Sequence, residues 1–163
     1  MKSCIYLSYK GLGANLLHLA YCHEIAKKYG PVTIITLCGN LEAALKDDPL
    51  IEKIIFINKY HKRFIDILKL KKLLNTFNFE QIFIFYPSLR IYLASILSNI
   101  KKVFCYPLLK KNKLHLVDVA KKFTEESLGI NNCNTETNFF IKKGKIENIN
   151  NNLDSKKFKI VIG

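Results

Sequence analysis

What most constrains this chain is an alternation: short β-branched or aromatic runs are separated by longer stretches whose apolar residues recur at helical spacing. Residues 4–9, 32–38, 53–57, 81–86 and 102–106 are rich in Ile, Val, Phe, Tyr and Cys, as strands covered on both faces must be. Between them, residues 14–29, 41–46, 64–77 and 88–98 read as helices. In the third of these, Phe64, Ile67, Leu68, Leu70, Leu74 and Phe77 make an apolar stripe, and Lys69, Lys71 and Lys72 face away. Strands alternating with helices build βαβ units, so the expected fold is α/β: a Rossmann-like parallel sheet with helices on both faces. The punctuation agrees. Gly30-Pro31 stops the first helix, Gly39-Asn40 follows the second strand, and Asp47-Asp48-Pro49 ends the short helix. A last helix over 115–128 runs into Gly129, placed for a left-handed cap.

The 163 residues, 49% of them hydrophobic and 24% charged, suffice for one ordinary core. Past Gly129 the composition shifts to Asn-rich segments at 131–134 and 148–152, with a strand candidate at 138–141 between them. The expected organisation is a domain over 1–145, a linker over 146–157, and at 158–163 a buried strand that opens a second α/β domain lying beyond the chain.

Cys4, Cys22, Cys38, Cys105 and Cys133 are odd in number and widely spaced, without a C-x-x-C pair, so neither a zinc clip nor a disulfide framework is expected. A reduced, cytoplasmic setting fits them, and the first residues lack the pattern of a secretory signal. The apolar stretch 81–100 is interrupted by Pro87, Arg90, Ser95 and Ser98; it reads as strand then helix, not as a membrane span. A formal net charge of +13 calls for an anionic partner. Yet only Arg63 and Arg90 are arginines, and nucleic-acid surfaces draw on Arg for bidentate contacts. Specific nucleic-acid binding is therefore not expected, and a basic nucleic-acid-binding α/β domain stands as a rival.

The segment richest in chemical meaning is Ser8-Tyr9-Lys10-Gly11-Leu12-Gly13-Ala14-Asn15-Leu16-Leu17-His18. It follows a strand and opens a helix, so Gly11 and Gly13 are expected to let the backbone turn tightly and aim amides at a ligand. A dinucleotide fingerprint would put its third glycine at position 16, which is Leu16, and an acid after the second strand, where Cys38-Gly39-Asn40 stands. A nicotinamide or flavin site is thus disfavoured, and a tight βα turn without a ligand is the plain alternative. Arg90 falls in the first turn of a helix, where the dipole repels it, which suggests an external anion; a surface salt bridge is the plainer reading. Lys10 carries the same two readings.

These segments resemble glycosyltransferase family 9, the heptosyltransferases of lipopolysaccharide core synthesis. Gly11-Leu12-Gly13-Ala14-Asn15-Leu16-Leu17 is similar to the family's Leu-Gly-Asp turn into a helix. Phe79-Glu80-Gln81-Ile82-Phe83-Ile84-Phe85 with Ser88-Leu89-Arg90 is similar to its Tyr-Asp strand and following arginine. Lys101-Lys102-Val103-Phe104-Cys105-Tyr106, His115-Leu116-Val117-Asp118 and Asp48-Pro49-Leu50-Ile51-Glu52-Lys53-Ile54-Ile55 match three further segments in order.

The resemblance implies the N-terminal, acceptor-side half of the two-domain GT-B architecture. It also implies metal-independent, inverting transfer from a nucleotide sugar such as ADP-heptose, used as substrate with no cofactor, to a lipopolysaccharide core or related glycan. The setting would be the cytoplasm, with peripheral contact to the anionic inner face of the membrane, the 110–113 loop among the places to touch headgroups. Lys10, Gly11, Gly13, Ala14, Asn15 and Arg90 would then bind acceptor. The family's general base is the Asp of the turn, and here that position is Ala14. An alanine accepts no proton. Asn15 is left to orient a hydroxyl, and His18, one turn along, to serve as base, unless it is simply a packed helix residue. Without a donor-binding lobe the chain is expected to transfer nothing alone, and a glycan-binding domain that lost its base is the non-enzymatic rival.

Overall fold

Strands whose side chains are mostly apolar have no polar face to give to water, and the structure buries the three central ones accordingly. The computed structural model describes residues 1–57, 65–86, 88–106 and 115–140. Five strands, β1 (Ser3–Leu7), β2 (Val32–Thr36), β3 (Ile51–Phe56), β4 (Gln81–Ile84) and β5 (Lys102–Cys105), form one parallel sheet in the order β3-β2-β1-β4-β5. All five expected strands are present. All five end earlier than their apolar runs, because past the ladder only single bonds remain, such as Phe85 N–H to the Tyr6 carbonyl, Ile57 N–H to the Thr36 carbonyl and Tyr106 N–H to the Ile84 carbonyl. β3 starts earlier than expected: Val32 pairs with Ile51 and Thr33 with Lys53, so Glu52 is the extra residue of a bulge that breaks the alternation there.

Side chains alternate across the sheet, as strand geometry requires. Ile5, Leu7, Ile34, Phe83 and Phe85 face one layer of helices, whereas Cys4, Tyr6, Ile35, Ile82 and Ile84 face the other. The first layer holds α1 (Leu12–Leu16), α2 (Leu19–Tyr29), α3 (Leu41–Ala44) and α6 (Leu116–Leu128); the second holds α4 (Asp66–Thr76) and α5 (Leu89–Ile96). Each fully buried Ile, Leu or Phe contributes about 1.5–3 kcal/mol.

The single helix expected over 14–29 is two helices. The Ala14 carbonyl, which would accept the His18 amide in a continuous helix, lies 2.7 Å from His18 Nδ1, and the His18 amide turns to the Asn15 carbonyl at 3.0 Å. Gly129 is the expected left-handed cap, with φ 63°, and two caps not read from the sequence join it: Ser88 Oγ accepts from the Ile91 amide, and His115 Nδ1 accepts from the Val117 amide. Asp48 has a larger role than helix stop. Its Oδ2 meets His23 Nε2 at 2.7 Å, both side chains buried, and its Oδ1 accepts from the Leu50 amide, pinning α2 to the entry of β3. No strand forms over residues 138–140. The linker over 146–157, the strand over 158–163 and the 110–113 loop lie outside the described residues.

The connections run outward from β1 to β2 and β3, then cross to β4 on the other side of β1 and on to β5. The chain therefore reverses direction between β1 and β4. In open parallel sheets, the crevice at the carboxyl ends of two such strands is where ligands bind.

Candidate functional site

Everything that follows β1 and β4 meets at that crevice. β1 leads into Ser8, Tyr9 and Lys10 and then α1; β4 leads into Phe85, Tyr86 and the Ser88 cap of α5. Tyr9 and Tyr86 bring the two loops together, their rings 5.5 Å apart and edge-on.

The turn has a sealed underside. Asn15 is 1% exposed and fully engaged: Nδ2 donates to the carbonyls of Tyr9 at 3.0 Å and Gly11 at 2.7 Å, and Oδ1 accepts from Thr36 Oγ1 at 3.0 Å. Thr36 Oγ1 in turn accepts from the Cys38 amide, so the turn after β1 is tied to the end of β2. An amide side chain has two N–H donors and one oxygen with two lone pairs; Asn15 has committed both donors and engaged the oxygen, so from its buried position it holds the turn. Its matching position in the sequence did not disclose this, because Thr36 is remote along the chain.

His18 belongs to the same underside. It is 1% exposed, stacked on Tyr9 at 4.8 Å and edge-on to Phe85 and Tyr21. Because a carbonyl only accepts, Nδ1 carries the proton toward Ala14, and the neutral ring keeps its lone pair on Nε2. Burial holds the imidazole below its ordinary value, with the Ala14 carbonyl opposing in the other direction. The ring is neutral and basic in principle, but in this arrangement it is a packing element under the turn rather than a group at the mouth.

The rim is different. Lys10, Gly11 and Gly13 are exposed, and Ala14 is half-buried. Neither glycine has a left-handed backbone: Gly11 is the extended N-cap of α1, with φ −78°, and Gly13 lies within the helix. The expectation that glycine's backbone freedom makes a tight turn here is thus corrected. A Cβ added at either would meet nothing within 4 Å, so no neighbouring atom requires the missing side chain either; the space is open. Nor do the amides form a long helix end, since α1 has five residues.

Two hydroxyls the sequence did not single out lie between rim and underside. Ser8 Oγ and the Tyr9 hydroxyl are shut off from solvent, yet among the described residues neither makes a hydrogen bond. An orphaned buried hydroxyl costs about 1–3 kcal/mol, and the costs here fall on consecutive residues at the carboxyl end of the central strand. Burial, reinforced by Tyr86, pushes the Tyr9 phenol up to about 12, so it is a neutral donor at physiological pH. The available signal was positional: two polar residues directly after the apolar run of a central strand.

Arg90, the second residue of α5, is half-buried beside a cleft of about 200 Å³ that is lined also by Ile67, Ser88, Leu89 and Leu93, between α4 and α5. It follows β4 as Lys10 follows β1, so both cations lie at the carboxyl edge of adjacent strands. The chemistry on offer is recognition: open backbone, two buried donors and two cations, without a carboxylate on residues 8–15.

No family model matches the chain, and no curated protein matches its sequence. Solved structures do. The chain is similar to a family 9 glycosyl transferase from Veillonella parvula, at 14% identity and a TM-score of 0.65 over 94% of this chain and 50% of that one. It is also similar to the E. coli heptosyltransferase WaaC solved with ADP, at 12% identity and a TM-score of 0.55 over 95% of this chain and 55% of that one. The chain spans about half the length of these structures. It therefore has the α/β, Rossmann-like fold of one part of a GT-B glycosyltransferase, of the heptosyltransferase-like kind found in family 9.

Proposed function

We propose that this chain is the acceptor-side part of a sugar transferase of the heptosyltransferase kind. A sugar would pass from a nucleotide donor such as ADP-heptose to a lipopolysaccharide core or related glycan, in the cytoplasm against the anionic inner face of the membrane. The observation that carries the reading is the open rim at the β1–β4 reversal, where Gly11 and Gly13 leave room for a bulky ligand and the Ser8 and Tyr9 hydroxyls have no hydrogen-bond partner among the described residues. The likeness in fold to glycosyltransferases supports it. Lys10 and Arg90 are the groups to meet phosphate or carboxylate on the glycan, because a cation paired with an oxyanion at a partly buried site makes a charge-assisted bond.

Inverting transfer needs a base within reach of the acceptor hydroxyl. Position 14 offers a methyl group, Asn15 is engaged and His18 is packed away. That observation favours a second reading, binding of the glycan without turnover.

The deciding experiment adds ADP-heptose and a phosphorylated core oligosaccharide to the chain and follows both binding and ADP release. The proposal expects the oligosaccharide to bind and no ADP to form with the 163-residue chain alone. With a donor-binding lobe supplied, ADP release supports transfer, and Ala14→Asp raises it. Binding with no release, even for Ala14→Asp, leaves only the second reading. Absence of oligosaccharide binding contradicts both.

A further inference from the structure

The two helical layers differ in what they show to water. On α6 the charges alternate and pair, Lys121 with Glu125 and Lys122 with Glu126. The layer of α4 and α5 instead exposes large apolar side chains: Ile65 and Leu68 are each 62% exposed, and Leu89, Ile96 and Leu97 lie between 52% and 55%. Among them stand Lys72 and Lys69, the latter 3.9 Å from the buried Asp66, the one acid within α4, and α5 has none. Residues 65, 68, 69, 72 and 76 are the exposed positions of α4, an outward stripe at helical spacing. Both helices pack on one sheet face through Ile67, Leu70, Ile91 and Ala94, so their outward stripes lie side by side.

Exposed apolar groups with two lysines among them and no exposed acid on either helix match one chemistry best. A nucleic acid would pair the lysines and leave five large apolar side chains in water. An anionic bilayer takes both: aliphatic groups enter the headgroup–acyl boundary while lysine stems reach back to phosphate. From this charge complementarity we infer that the α4–α5 face docks on an anionic lipid surface, laying the sheet edge that carries the rim alongside it. The inference deepens the membrane part of the proposed function and assigns the contact to this face instead of the 110–113 loop. Its test needs no sugar, so it stands or fails apart from the transfer reading.

The test is sedimentation of the 163-residue chain with vesicles of phosphatidylcholine alone or with roughly one-third phosphatidylglycerol. The expected result is binding at least tenfold stronger to the anionic vesicles, weakening as salt rises. Leu68→Ser with Leu97→Ser, both at exposed positions, should lower binding about tenfold or more at unchanged melting temperature. Lys72→Gln should lower it about fivefold, and Lys122→Gln on the paired α6 face much less. Lys110→Gln with Lys111→Gln should leave the α4–α5 effects in place. Three outcomes overturn the inference: equal binding to neutral vesicles or none, loss on the loop variant but not on the α4–α5 variants, or self-association that the Leu68→Ser and Leu97→Ser pair abolishes in the absence of lipid.

Discussion

The turn that follows β1, residues 8–18, has an underside tied to Thr36 and an open rim, and the two obey different rules. Beneath the turn, Asn15, Thr36 and His18 are each 1% exposed or less and joined by hydrogen bonds and ring contacts. On the rim, Lys10, Gly11 and Gly13 are exposed, and the glycines lack even a van der Waals neighbour for a Cβ. The lesson is that a polar residue in a functional-looking motif can owe its place wholly to the fold. The residues best placed for a ligand are those the fold does not require.

Breaking the underside should have the largest effect. Asn15→Leu strands the Tyr9 and Gly11 carbonyls and the Thr36 hydroxyl in a buried site. It should cost about 3 kcal/mol, a fall in Tm of roughly 6–12 °C by calorimetry. A loss under ~0.5 kcal/mol would mean that the Asn15 contacts do not hold the turn.

His18→Ala should come next, at about 2–3 kcal/mol, since it removes a ring packed among Tyr9, Tyr21 and Phe85. His18 also predicts a pH dependence. Its folded-state value is lowered from the ordinary 6.5, so the unfolded chain takes up the proton first. Its contribution to stability is fully present above pH 6.5 and falls as pH drops toward the folded-state value. Denaturant melts at a series of pH values should show that slope in the native chain, and His18→Phe should lack it.

On the rim the sign reverses. Gly13→Ala should stabilise the chain by about 0.5–1 kcal/mol, because it removes a helical glycine and meets no neighbour. At the same time it should weaken oligosaccharide binding, read by calorimetry. Arg90→Gln should move stability least, within about 0.5 kcal/mol, and show its effect as a severalfold weaker affinity for phosphorylated glycan. If Gly13→Ala stabilises and leaves binding unchanged, the rim is a plain surface turn.

Much of the fold was legible because periodicity acts locally. The five strands, the helix starts at 88 and 115, the Gly129 cap and the two-faced sheet follow from residues near one another in sequence. What escaped was mostly non-local, the break at His18 being the local exception. The break at His18 comes from a side chain competing for the Ala14 carbonyl, the bulge at Glu52 from register against β2, and the clamping role of Asn15 from a partner 21 residues away. For the site, the turn's position was readable and its division of labour was not: Gly11 and Gly13 suggested a tight turn that needs glycine where the structure has ordinary backbone and open room, and Ser8 and Tyr9 carried no motif of their own.

Amide chemical-shift mapping of the chain with a phosphorylated lipopolysaccharide-core oligosaccharide tests the account most directly. Shifts should concentrate on residues 8–14 and on 86 and 88–90, at the carboxyl ends of β1 and β4, and leave β3 and α6 unmoved. Saturable shifts centred elsewhere, or none at millimolar glycan, would contradict a ligand cleft at the point where the strand order reverses.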